Sequence, residues 1–158
     1  MTQETLKELP KIELHCHLDG SLSRPFIEKR LGRTVRPEEL SVSENCTSLN
    51  EYLEKFEFPL TLLQTAEAIT ECVRMLIAGQ DSQGIMYSEI RFAPQLHMQK
   101  GLTQEEVVQA AIKGLGNSDY HKLILCCMRG RSPKGLILYC CLTMVFTAWR
   151  RQTRREIF

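Results

Sequence analysis

His15 and His17 stand two residues apart in the run Lys11-Ile12-Glu13-Leu14-His15-Cys16-His17-Leu18-Asp19-Gly20-Ser21. In an extended strand successive side chains alternate, so Lys11, Glu13, His15, His17 and Asp19 share one face and Ile12, Leu14, Cys16 and Leu18 the other. One face is wholly ionisable and the other wholly apolar. Two imidazoles on the same face can bind one metal ion through neutral nitrogens, with Cys16 directed away from them. Such a pair is half of a four-coordinate site. The competing reading is an amphipathic strand whose polar side is simply wet, but strands of that kind ordinarily use Lys, Thr, Glu or Ser there. Asp19-Gly20-Ser21 favours chemistry: Gly20 allows a tight turn, and Asp19 lies where the strand passes into a loop, which is where α/β barrels carry their reactive groups.

The elements that must position this run follow an alternating pattern. Pro10 marks the start of the first strand. After the Asp-Gly-Ser turn a brief helix is expected, with Pro25 in its first turn, Phe26, Ile27 and Leu31 on its apolar side and Gly32 ending it. Residues 33 to 47 show no clear period and read as loop. Ser48-Leu49-Asn50-Glu51 has the form of a capping box, opening a helix in which Leu49, Tyr52, Leu53 and Phe56 recur at helical spacing until Pro59. By default these four form a core stripe. Thr65 caps the next helix, with Ile69, Cys72, Val73, Leu76 and Ile77 on one side and Gly79 and Gln80 to Gly84 closing it. Ile85 to Ala93 is a second strand carrying Tyr87, Glu89 and Arg91 on one face. Thr103-Gln104-Glu105-Glu106 is a further capping box, followed by a stripe of Val107, Val108, Ala111, Ile112 and Leu115 and a stop at Gly114, Gly116 and Asn117. His121 to Arg129 is a third strand, apolar enough to be buried on both sides. Strands alternating with helices predict an α/β fold with a parallel sheet and crossover helices. His97 and His121 stand alone, away from a strand's carboxyl end, and read as exposed or helix-adjacent rather than as ligands.

The run from Pro10 to Ser21 closely resembles the first-strand motif of adenosine deaminases, metal-dependent aminohydrolases built on a (β/α)8 barrel. Arg91-Phe92-Ala93-Pro94 resembles the end of that family's second strand. The resemblance implies that His15 and His17 are ligands of one Zn2+, and that His17 and Asp19 meet a small nucleoside substrate. It also implies that Leu53 and Phe56, three apart, line the apolar side of the nucleoside pocket. The implied reaction is hydrolytic deamination of adenosine and deoxyadenosine in purine salvage. The alternatives are a related aminohydrolase acting on adenine or another adenosine derivative, and a non-catalytic fragment or membrane-associated module.

A (β/α)8 domain typically needs ~250 residues, whereas this chain has 158 and its first three strands use it up to residue 130. The expectation is therefore a partial barrel, about the first three βα units, over residues 1 to 130. The family's later histidine and aspartate ligands and its His-Ala-Gly-Glu motif, with the proton-shuttling glutamate, have no counterpart here. No catalytic acid or base is present, and a carboxy-terminal complementing fragment would be needed to supply one.

Residues 131 to 158 differ in kind. Residues 1 to 128 hold 13 Lys and Arg against 18 Asp and Glu (net −5), and residues 129 to 158 hold 7 against 1 (net +6), which together give the formal +1. The apolar run from Gly135 to Trp149 falls short of the ~20 residues that cross a bilayer, so membrane attachment is not the favoured reading, although its basic flank would suit a membrane surface. An irregular non-family tail, from out-of-frame or mis-spliced translation, fits better. Seven cysteines without a signal-peptide pattern suit a reducing compartment, the cytoplasm. The absence of Cys-x-x-Cys and of His-x-Glu argues against the other zinc deaminase architecture and against a nucleic-acid substrate.

Overall fold

A computed structural model of the chain describes residues 5–6, 9–42 and 45–127. Strands β1 (Lys11–His17), β2 (Ile85–Phe92) and β3 (His121–Leu125) form one parallel sheet in the order β1-β2-β3. Among the described residues the connections hold six helices: α1 (Arg24–Leu31), α2 (Pro37–Leu40), α3 (Leu49–Glu54), α4 (Glu57–Leu62), α5 (Ala66–Ser82) and α6 (Gln104–Leu115). The expected α/β fold with a parallel, open three-stranded sheet is what the chain adopts. The reading of residues 131 to 158, and the last residues assigned to the third strand, lie outside the described residues.

Local chemistry accounts for several element ends. Ser23 Oγ accepts the Phe26 N–H at 3.4 Å, Pro25 sits in the first turn of α1, and Gly32 closes it at φ 66°, a conformation that glycine adopts without steric cost. Thr65 Oγ1 accepts the Ala68 N–H at the start of α5. At α6 the full box forms, with Thr103 Oγ1 accepting from Glu106 N and Glu106 Oε2 accepting from Thr103 N.

Other expectations are corrected. Residues 33 to 47 contain the short helix α2, because Pro37 presets the first helical φ and Glu39 Oε1 takes the Arg36 N–H at 3.1 Å. Ser48 makes no side-chain cap bond, and α3 ends at Glu54. A separate helix, α4, then accommodates Pro59 within its first turn, where the missing N–H costs nothing. Leu49, Tyr52 and Leu53 are 70%, 47% and 50% exposed, so the stripe is not core. Helix α5 runs through Gly79 to Ser82, and Gln80 is buried because its Oε1 accepts the Ser88 hydroxyl of β2 at 2.7 Å. Strand β3 stops at Leu125 and its apolar residues are only partly buried, since it forms an edge of the sheet.

The core lies between the sheet and the helices. Leu18, Ile90 and Phe92 from the strands meet Ile69 and Val73 of α5, Val107 of α6 and Phe26 of α1. Helices α5 and α6 approach closely at Gly114, where an added Cβ would lie 2.6 Å from the Thr70 carbonyl oxygen. The Thr70 hydroxyl reaches across to the Ala110 carbonyl at 2.9 Å. The opposite sheet face carries Tyr87, Glu89 and Arg91 of β2, with His17 beside Arg91, none of them buried. The strict alternation expected of β1 is not kept, because two register shifts set Ile12 beside Tyr87 and Glu13 beside the buried Ser88; Cys16 and Leu18 are buried, whereas Ile12 and Leu14 are 68% and 56% exposed.

Candidate functional site

The chemistry-bearing residues gather at the carboxyl end of β1. The His15 and His17 rings lie with centroids 5.1 Å apart, and their Nε2 atoms are separated by 3.2 Å. Two nitrogens on a single tetrahedral zinc, each at about 2.0–2.1 Å, are roughly 3.3 Å apart. The pair therefore fits two adjacent corners of such a shell. Among the described residues, no third His, Cys, Asp or Glu completes a metal-binding group.

The backbone beneath the pair is irregular. Glu13 pairs with Ser88 and Cys16 with Ile90, so β1 passes through Leu14 and His15 while β2 passes only through Glu89. This extra residue in β1 is a bulge. The His15 N–H donates to Glu13 Oε1 at 2.8 Å, and Arg91 Nη2 donates to the Leu14 carbonyl at 2.7 Å. Pairing resumes afterwards, and past the strand Leu18 N donates to the Arg91 carbonyl at 2.9 Å.

Beyond the strand the chain turns at Asp19 and Gly20. Asp19 is buried, and among the described residues its Oδ1 has no hydrogen-bond partner. A buried carboxylate oxygen left open is an acceptor waiting for a donor. Phe56, at the junction of α3 and α4, covers Gly20: an added Cβ there would be 2.9 Å from Phe56 Cε1 and 3.5 Å from His17 Cβ. Tyr52 packs edge-on against Phe56 with centroids at 5.6 Å, and Leu53, one turn before Phe56, is half exposed. Phe56 and His17 thus meet over Gly20, whereas the charge of Asp19 acts on Cys72 and His97.

His97 was expected to be exposed or helix-adjacent. It follows the short 3-10 turn Pro94–Leu96 but is fully buried, with Nδ1 3.0 Å from the Leu63 carbonyl and its ring edge-on to Phe92. Burial holds its pKa below the ordinary 6.5, against the opposing pull of the Leu63 carbonyl and of the Asp19 charge. His121 is buried too, with Nδ1 2.8 Å from Ser118 Oγ at the amino end of β3, away from the histidine pair. Burial pushes the Cys16 thiol up, and the Cys72 thiol up to about 12, so neither is a thiolate at neutral pH. Glu13, Arg91 and His97 are the residues near the site that sequence reasoning left without a role. Their parts depend on register and burial, which a single strand pattern does not encode.

A family model described as adenosine deaminase matches residues 10–137. The chain belongs to the adenosine deaminase family. It is 44% identical over 134 residues to an adenosine deaminase of Haemophilus ducreyi, covering 75% of this chain and 39% of the relative. With an adenosine deaminase of Enterococcus faecalis the identity is 43% over 143 residues, covering 82% and 42%. This adenosine deaminase family chain therefore spans about two fifths of the length of these curated relatives. Its fold resembles the crystal structure of an Arabidopsis N6-mAMP deaminase, with a TM-score of 0.71 at 23% identity, covering 92% of this chain and 49% of that one. An amidohydrolase from Burkholderia ambifaria with bound Zn gives a TM-score of 0.71 at 16% identity, covering 91% and 44%. At these identities the likeness is one of fold, that of a partial amidohydrolase barrel.

Proposed function

We propose that this chain is the amino-terminal part of a zinc-dependent adenosine deaminase and holds half of its metal site and one wall of its nucleoside pocket. The whole enzyme would convert adenosine or deoxyadenosine and water to inosine or deoxyinosine and ammonia in the cytoplasm. The 3.2 Å separation of His15 Nε2 and His17 Nε2 is the observation that carries this reading. His15 and His17 offer neutral nitrogen lone pairs to zinc. Zinc held there supplies a Lewis acid that makes water nucleophilic near neutral pH. Asp19, with its open buried oxygen, would accept a hydrogen bond from a sugar hydroxyl, and His17 would meet the same substrate. Leu53 and Phe56 present apolar surface to the purine and keep water from it. We assign no general acid or base to this chain, a contribution worth ~10²–10⁴ in rate.

The chain by itself is thus a zinc-poor fragment without sustained turnover, and activity requires a carboxy-terminal part supplying the remaining ligands and proton shuttle. Purified chain assayed for bound zinc and for adenosine loss by ultraviolet absorbance tests this. Weak zinc binding that disappears in His15→Ala or His17→Ala, without turnover, is the expected result. Stoichiometric zinc with sustained turnover sensitive to the same substitutions would overturn the fragment reading. Turnover of adenine but not adenosine would replace the substrate assignment.

A further inference from the structure

We infer that Glu13 and Arg91 are positioning residues that lock the bulge in β1 and thereby set the angle at which His15 and His17 face one another. The inference rests on the reading of the pair as a metal site, but its structural half stands without metal.

The argument begins with two backbone groups. Where β1 carries Leu14 and His15 opposite the single residue Glu89, the parallel ladder is interrupted. Both groups lie on an exposed part of the strand, where water competes for them, so the bonds that hold them fix the direction of the peptide rather than offset a burial cost. Here both partners are side chains, one from β1 itself and one from β2. The Glu13 carboxylate takes the His15 N–H at 2.8 Å, and the Arg91 guanidinium gives a hydrogen to the Leu14 carbonyl at 2.7 Å. Both bonds involve an ionised partner and are of the stronger kind. Together they close the peptide that joins Leu14 to His15 on its two sides.

The consequence falls on the rings. Side chains two apart on a regular strand are carried about 6.6 Å apart, roughly twice the distance between the two Nε2 atoms, which is 3.2 Å. A bulge increases local twist and re-aims the side chain it carries, and here that side chain is His15. The rings are tilted at 37° and converge at their Nε2 ends. Arg91 is also the strand partner of His17, so the residue that holds Leu14 from its side chain aligns His17 through its backbone. Loss of either side chain releases His15 from the fixed peptide while leaving its imidazole chemically intact.

The test uses the full chain, in wild-type form and as Glu13→Ala, Glu13→Gln and Arg91→Met, with His15→Ala as control. Without metal, amide exchange by nuclear magnetic resonance should find the His15 N–H protected in wild type and in Glu13→Gln, whose amide oxygen still accepts, but not in Glu13→Ala. The nuclear Overhauser contact between the two imidazoles should follow the same order and weaken in Arg91→Met. With Zn2+ in competition with a chromophoric chelator, Glu13→Ala and Arg91→Met should bind about 10–100-fold more weakly than wild type, the usual effect of removing groups that orient ligands. Glu13→Gln should stay near wild type. Fast exchange of the His15 amide in wild type itself, or an unchanged imidazole contact in both Glu13→Ala and Arg91→Met, overturns the proposal even if other variants fail to fold. Zinc affinity unaffected by His15→Ala would instead sink the metal reading and leave the exchange result to decide the lock.

Discussion

Phe56 lies across Gly20 so closely that a methyl group on residue 20 would come within 2.9 Å of the ring edge. Phe56, 36 positions beyond Gly20 and between α3 and α4, is in this way brought over the turn that follows the first strand, and glycine is the residue that permits it. Because the obstructing atom belongs to a ring edge rather than to backbone, Gly20→Ala should be relieved by rotation of Phe56. Unfolding in urea should then shift by no more than about 1 kcal/mol, the low end of overpacking costs. The His17 ring resonances should move as Phe56 withdraws. Unchanged His17 shifts would show that Phe56 does not border the site.

Gly114 gives the contrasting case. An added Cβ there meets the Thr70 carbonyl oxygen at 2.6 Å and Val73 Cβ at 2.7 Å, neither of which can rotate away. Alanine gains up to ~1 kcal/mol in helix propensity over glycine, but pushing α6 off α5 should outweigh it. Gly114→Ala is expected to destabilise the chain by about 1–3 kcal/mol in urea unfolding. A neutral or stabilising outcome would mean that the two helices can separate freely.

The two capping boxes written in the sequence should respond differently. Thr103→Ala removes a bond that exists and should cost about 0.5–2 kcal/mol, with Thr103→Ser recovering most of it. Ser48→Ala removes none and should remain within about 0.5 kcal/mol of wild type. Equal losses at the two positions, measured by thermal unfolding, would contradict the difference between the two helix starts.

His97 makes stability sensitive to mild acid. Its folded pKa is lowered from 6.5 by burial, so below pH 6.5 the unfolded chain takes up a proton that the folded chain resists. Stability present above that pH should be lost progressively as pH falls through the folded value. Replacing His97 with a residue that does not titrate should flatten this limb of the urea midpoint against pH. A separate acid limb belongs to Glu39, which Arg33 and the Arg36 N–H hold down from 4.5 to about 2. Its contribution is present above 4.5 and fades toward pH 2. Arg33→Gln should remove part of that second limb and leave the first untouched.

Features decided by neighbours in sequence were legible in advance. Thr65 and Thr103 cap their helices because each bond closes within three residues, and Gly32 ends α1 for the same local reason. The histidine pair was legible because alternation alone puts both rings on one side. His97 was not, since its burial is made by Leu63 and Phe92, which reach it through the packing of the fold. Nor was the stripe from Leu49 to Phe56, where helical spacing is the same whether the apolar side meets a core or a ligand space. The extra residue in β1 is a property of two strands together and has no trace in either one alone.

Arg91 holds Leu14 across 77 positions of chain. At roughly 5–20 residues per second of synthesis, β2 is made about 4–15 s after β1. Until Arg91 has been added, neither the Leu14 carbonyl nor the Leu18 N–H has its partner, and the segment between them has no fixed form. His17 is made 74 residues before Arg91, yet its orientation toward His15 waits for that later residue.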